Sequence, residues 1–275
     1  DIVGTGGDGF NTFNVSTASA IVAAGAGLKI CKHGNRASSS STGSADLIIA
    51  QGIPLPTLSN EDISKILSTS NPPNFTFLFS PSFYPIFKTL SPLRKSLGFP
   101  TIFNLLGPLL NPSKPNRILI GVSKPQLGPI ISSTLVNLKI YPSWVVCGQE
   151  GLDEISPSGP TQVWKVDQNG IITESVIEPL KDFGIQTHSL QDVIGGQADE
   201  NSSLLNDLLN NQIDSNRLIA IKDFVLLNSA ALLVIGGKAL DLQEGVSLAK
   251  ISLESGNAKL ALHDFKTSVL NLSTV

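Results

Sequence analysis

Asp1-Ile2-Val3-Gly4-Thr5-Gly6-Gly7-Asp8-Gly9, followed by Asn11-Thr12-Phe13-Asn14-Val15-Ser16-Thr17-Ala18-Ser19, sets a short apolar run before a glycine-rich turn and a Ser/Thr-rich helix start. Strand, turn and helix in that order open a β/α unit, which predicts an α/β fold. The turn exposes backbone N–H groups and the helix start adds hydroxyls, a combination that can cradle an anion. Taken alone, the same stretch also reads as an ordinary glycine turn before a capped helix. No Gly-Lys-Ser/Thr follows and the Rossmann glycine spacing is absent, so it is neither a Walker loop nor a dinucleotide fingerprint.

Outward from this unit, β-rich runs alternate with longer helical patterns, and no repeat of fixed period interrupts them. A helix is predicted over 17–26 with Ser16 as its cap, then a strand over 28–31 and a helix over 44–51 ended by Gly52. Ser59 caps a helix whose apolar face is Ile63, Ile66 and Leu67, and 75–79 reads as a buried strand. Residues 83–97 carry apolar side chains at helical spacing. Strands over 117–121 and 143–147 flank a helix over 125–138, and Asp167-Gln168-Asn169-Gly170 turns a hairpin between 163–166 and 171–175. From Glu200 onward the pattern is mainly helical. The predicted class is α/β, a mostly parallel central sheet flanked by helices, with 1–275 as one catalytic domain.

The 275 residues are 41% hydrophobic, enough for a well-buried core. A net charge of −3 provides no basic field for nucleic acid or anionic lipid, so neither partner is expected. The apolar run 218–237 is broken by Lys222, Asp223, Asn228 and Ser229, which argues against a membrane span. No charged-then-apolar start marks a secretory segment, and an intracellular, cytoplasmic setting is expected. The sequence has no methionine, so it is expected to be a domain of a longer protein. Cys31 and Cys147 stand in apolar surroundings without zinc-ligand spacing and read as core residues.

Two further stretches carry chemistry. Lys32-His33-Gly34-Asn35-Arg36 follows a predicted strand end, where α/β sheets hold ligands, and its two flanking cations suit a polyphosphate. His33 alone reads more often as a structural histidine than as a substrate contact. The Ser-rich run 37–44 is either a linker or a hydroxyl-lined phosphate loop with Ser44 capping the next helix. Asp153-Glu154, between Gly151 and Pro157, is either a solvated turn or, beside a phosphate cradle, a Mg²⁺ site. Mg²⁺ takes one or two carboxylates together with substrate phosphate oxygens and water.

In order, GTGGDGxxTFNxSTAS, KHGNR, a Ser-rich GSAD loop, FNxLGPLxNP and GxDExSP resemble the anthranilate phosphoribosyltransferases, from the first residue through the C-terminal helices. The resemblance implies transfer of phosphoribosyl from phosphoribosyl pyrophosphate (PRPP) to anthranilate in tryptophan biosynthesis, with Mg²⁺. By position, Gly4, Thr5, Gly6, Gly7, Asp8, Thr12, Asn14, Ser16, Thr17, Lys32 and Ser44 are similar to the family's PRPP-site residues. Gly4, His33, Asn35 and Arg94 resemble the anthranilate pocket, with Arg94 as a cation for the substrate carboxylate; without the resemblance it reads as a solvated helix arginine. Ser16, Asp153 and Glu154 resemble the metal contacts. No protein nucleophile is implied. Tyr84 stands where many members have histidine, and Ser41 where many have a loop lysine. The family's opening helices, which form most of a small domain and a homodimer contact, are implied to lie outside this chain. Residues 83–111 are then the inserted helix and hinge of that domain. A nucleoside phosphorylase shares the fold, but its base-binding signatures are absent; a nucleic-acid-binding relative would need a basic surface.

Overall fold

The computed structural model describes residues 1–37, 41–86 and 102–272. Its strands are β1 (Ile2–Gly4), β2 (Ile30–Gly34), β3 (Phe75–Phe79), β4 (Ile118–Gly121), β5 (Ser143–Gly148), β6 (Thr161–Val166) and β7 (Ile172–Ile177). Its helices are α1 (Val15–Gly25), α2 (Ser44–Ala50), α3 (Asn60–Leu67), α4 (Ser80–Phe83), α5 (Ile102–Leu106), α6 (Leu127–Asn137), α7 (Ala198–Leu209), α8 (Asn216–Ile235), α9 (Leu242–Glu254) and α10 (Asn257–Leu272).

The strands form a five-stranded sheet, β1-β4-β5-β6-β7, and a parallel pair, β2-β3. β1, β4 and β5 run parallel; β6 and β7 add an antiparallel hairpin at the far edge. The class is α/β with a mixed, mostly parallel arrangement, divided into two ladders where one sheet was predicted. The division falls between β1 and β2, and side chains bridge it. Asp1 Oδ1 accepts from His33 N–H (3.3 Å), and Lys32 Nζ donates to Ile2 O (2.7 Å). β1 therefore lies between β4 on one side and β2 on the other, and the chain's direction of winding changes there. In open α/β folds such a switch point, at the carboxyl ends of the strands, is where ligands bind.

Hydrophobic burial holds the helices on the strands. α8 runs through the core, burying Leu218, Phe224, Val225, Leu226 and Leu227, and packs on α1 and α9. Its length and hydropathy suffice to cross a membrane, but 78% of its apolar window is buried inside the protein, which accounts for that composition. α3 forms as its pattern predicts: Ser59 Oγ accepts from Asp62 N–H, and the Asp62 carboxylate accepts from Ser59 N–H.

Several boundaries differ from the sequence reading. α1 begins at Val15 with Asn14 as its cap residue, so Ser16 sits inside the first turn instead of capping it. α2 is preceded by Gly43, not by a capping Ser44. β2 runs on to Gly34 because it pairs residue by residue with β3, Ile30 with Phe75 through Gly34 with Phe79. Cys147 is buried and Cys31 half-buried, both as free thiols. Most of the predicted helix over 83–97 lies outside the described residues.

Candidate active site

The carboxyl ends of β1, β4 and β5 meet at one point. Gly4 closes β1 and pairs with Gly121, which closes β4; β5 ends at Gly148 and leads into the loop carrying Asp153 and Glu154. The absence of side chains at both glycines admits that loop. A Cβ on Gly4 would lie 2.2 Å from Asp153 Oδ2, and one on Gly121 would lie 1.5 Å from the Asp153 carbonyl oxygen. Asp153 is thereby drawn against the glycine turn, where Gly6 N–H donates to its Oδ2 at 2.6 Å. Gly6 and Gly7 hold φ of +71° and +79°, a conformation that only glycine adopts at little cost. The turn folds back because Thr5 N–H donates to Gly121 O (2.9 Å).

The acidic pair is not a solvated turn: Asp153 and Glu154 are 8% and 9% exposed. Burial, reinforced by the nearby Asp8 carboxylate, pushes Asp153 up to about 8. Glu154 is raised well above the usual carboxylate range by burial and by Asp153 beside it. Lys32 reaches the same place from β2, with Nζ donating to Ser16 Oγ (3.2 Å). Burial draws its ammonium down to about 8 against the opposing pull of Glu154. Lys32 is therefore a strand residue with its head at the acids, while Arg36, the second predicted cation, is exposed and pairs with Asp46 at 3.7 Å.

On the other flank the cradle is tied to elements the sequence did not single out. Asn14 Nδ2 donates to Thr42 O (3.0 Å), and Asn14 Oδ1 accepts from Asn201 Nδ2 (2.9 Å). Asn201 Oδ1 in turn accepts from Gly196 N–H (2.7 Å), and Gly196 O accepts from both Thr42 Oγ1 (2.7 Å) and Ser41 Oγ (3.2 Å). Ser41 thus anchors its loop through a hydroxyl. Thr12 bridges to Ile194, which sets the 193–196 segment beside the turn. Thr17 Oγ1 is buried and makes no hydrogen bond among the described residues.

His33 and Asn35, two of the candidate anthranilate-pocket residues, lie at the end of β2. Asn35 O accepts from Ala45 N–H (3.1 Å) and Ser44 Oγ (3.3 Å), fixing that corner to α2. Tyr84 meets the His33 ring edge-on, with centroids 6.1 Å apart, and its hydroxyl donates to Leu110 O (2.7 Å). Arg94 lies outside the described residues. His33 is 4% exposed, and its Nε2 is buried without a hydrogen-bond partner among the described residues. Burial lowers its pKa from 6.5 to about 4, opposed by a backbone hydrogen bond with Gly107.

That shift fixes a pH dependence. The unfolded chain binds the His33 proton near pH 6.5, the folded chain only near 4, so stability falls as pH drops through that window and is retained above it. The loss attributable to His33 reaches at most about 3 kcal/mol. In urea unfolding, a His33→Gln variant is expected to lose less stability than the parent between pH 7 and 4; equal losses would show that His33 titrates normally.

The family profile described as "Glycosyl transferase family, a/b domain" matches residues 1–259. An anthranilate phosphoribosyltransferase of Schizosaccharomyces pombe is 52% identical over 267 residues, covering 97% of this chain and 73% of that protein. The Saccharomyces cerevisiae anthranilate phosphoribosyltransferase in complex with PRPP and Mg superposes with a TM-score of 0.90 at 38% identity, over 98% of this chain and 73% of that one. The same enzyme in complex with 4-fluoroanthranilate gives 0.88 at 37% identity with the same coverage. With sequence and backbone both shared along nearly its whole length, this chain belongs to the anthranilate phosphoribosyltransferase family.

Proposed function

We propose that this chain transfers phosphoribosyl from PRPP to the amine of anthranilate, giving N-(5-phosphoribosyl)anthranilate and pyrophosphate, as a cytoplasmic enzyme of tryptophan biosynthesis. The observation that carries this reading is the buried Asp153-Glu154 pair drawn against the Gly4–Gly7 turn at the strand ends. Two adjacent buried carboxylates, both displaced upward in pKa, call for a cation. Among the described residues no group of three or more His, Cys, Asp or Glu side chains could enclose a metal alone. Two carboxylates and the Ser16 hydroxyl fit Mg²⁺ instead, an ion that completes its shell with substrate phosphate and water. When bound, it would neutralise charge developing on the departing pyrophosphate.

The remaining work falls to the chain itself. Gly4, Thr5, Gly6, Gly7, Asp8, Thr12, Asn14, Ser16, Thr17 and Lys32, with Ser44 at the start of α2, would hold PRPP through backbone N–H groups, hydroxyls and one buried ammonium. Positive charge and oriented donors at the leaving group favour separation of charge at the ribose anomeric carbon, where an oxocarbenium-like transition state is expected. Gly4, His33, Asn35 and Arg94 would seat anthranilate; a neutral His33 imidazole presents no competing cation to the substrate carboxylate at neutral pH. The aromatic amine is uncharged there, so attack needs alignment more than a strong base. Residues 83–111 would act as inserted helix and hinge of a helical domain, through which the full-length protein pairs as a homodimer.

The test is loss of anthranilate fluorescence on adding PRPP to the full-length protein, with and without Mg²⁺. Consumption that requires both PRPP and Mg²⁺ is expected; a folded, PRPP-binding protein that leaves anthranilate untouched would move the assignment to another acceptor.

A further inference from the structure

Asn228 sits in the apolar middle of α8 and is fully buried, at 0% exposure. An amide in that position is costly unless its polar atoms are satisfied. Here they are: Ile155 N–H donates to Oδ1 (3.1 Å), and Nδ2 donates to Ile155 O (3.2 Å) and to Phe224 O (3.1 Å). One side chain thus pairs both backbone groups of one residue, as a neighbouring strand would, across 73 positions of sequence. Ile155 directly follows Glu154. Two residues earlier, Asp153 rests on Gly4 and Gly121, with no room for a Cβ on either. The acidic pair is therefore held between two strand ends and an amide from the core.

We propose that Asn228 is a positioning residue for the metal-binding pair: by fixing the Ile155 peptide, it holds the Asp153 and Glu154 carboxylates ready for the ion before metal and PRPP arrive. The inference rests on the assignment of Mg²⁺ to that pair. Mutual repulsion and desolvation would drive two such carboxylates apart if their backbone were free to turn. Ordering the loop at the moment of binding would then weaken the affinity for the ion.

The experiment uses the full-length protein with Mn²⁺ as a spectroscopic probe in the presence of PRPP, free Mn²⁺ being counted by electron paramagnetic resonance. Asn228→Ser is expected to weaken Mn²⁺ binding roughly ten-fold or more, the usual cost of losing a group that orients metal ligands. The Mg²⁺ concentration for half-maximal activity should rise in parallel, with KM for anthranilate unchanged. Ser252→Ala, which deletes a different buried hydrogen bond (Ser252 Oγ to Val22 O, 2.7 Å), should lower the melting temperature without moving Mn²⁺ affinity. Asn228→Ser that melts lower but binds Mn²⁺ like the parent would overturn the proposal. Should that variant not fold, hydrogen exchange on the unaltered protein decides. The Ile155 amide is expected to be protected already without metal; protection that appears only on adding Mg²⁺ and PRPP would sink the idea. Mn²⁺ binding that persists in Asp153→Asn with Glu154→Gln would overturn the metal assignment itself, a result distinct from either of these.

Discussion

Asp153→Asn and Glu154→Gln are each expected to slow phosphoribosyl transfer by roughly 10²-fold or more, the order of loss when one preorganised charge-stabilising contact is removed. Their effects on the metal-free protein should differ in size but share a sign. Asp153 is buried beside Asp8 and Glu154 with Gly6 N–H as a donor, and an amide can keep that hydrogen bond while removing the charge. Asp153→Asn should therefore raise the melting temperature measured without Mg²⁺ and abolish the further rise that Mg²⁺ with PRPP gives the parent. Glu154 offsets the burial of Lys32. Glu154→Gln likewise removes a carboxylate whose ionised form burial and Asp153 disfavour, so it should also raise the melting temperature, by a smaller amount because the opposing attraction to Lys32 is lost with it. Two inactive variants at least as stable as the parent would distinguish lost chemistry from a lost fold; two unfolded variants would contradict the electrostatic account.

These shifts follow from long-range geometry, and this is where sequence reading reached its limit. Local signals were legible. Ser59 with Asp62 fixes the start of α3, Asp167 to Gly170 turns β6 into β7, and the β-rich run 75–79 is a fully buried strand. The glycine turn, Lys32 and the acidic pair were also identified from their order along the chain, and the fold gathers Gly6, Ser16, Lys32, Asp153 and Glu154 at one place.

Burial state and cross-chain partners were not legible, because neither depends on neighbours in sequence. Asp153-Glu154 has the composition of a surface turn, yet both are buried, with Asp153 packed against Gly4 and Gly121 at the strand ends. Asn228 entered the sequence reading merely as a polar interruption of an apolar run, yet that was the available signal: an amide inside a buried helix must have a partner. Asn201 and Gly196, which join Asn14 to the Ser-rich loop, lie more than 150 residues from that loop and carry no local pattern. The cap assigned to Ser16 erred by two residues because Asn14, also a good cap residue, stands in the same run. Its amide serves the network to Thr42 and Asn201 instead of the helix end.

Gly121→Ala should be among the most damaging single-methyl changes in the protein. Ordinary overpacking costs roughly 1–3 kcal/mol because side chains can turn aside. Here the obstructing atom belongs to the backbone, 1.5 Å from the new Cβ, and the peptide that must yield is that of Asp153. That peptide cannot retreat without breaking further contacts. Asp153 is tied to Gly6 N–H on one side, and Ile155 is held by Asn228 on the other. Gly121 also pairs with Gly4 in β1 and accepts from Thr5 N–H, so a shift of β4 would pull the glycine turn out of register. The expected result is a loss of stability above the usual overpacking range, read by urea unfolding, with Mg²⁺-dependent activity abolished in whatever remains folded. Gly4→Ala offers the graded comparison. Its Cβ would press on a carboxylate oxygen at 2.2 Å, an atom a side chain can rotate away. It should cost less stability than Gly121→Ala and still remove activity, because the rotated carboxylate leaves the ion's position. Equal stabilities for the two variants would mean that the loop yields as a whole, and that the strand ends do not hold the acidic pair in place.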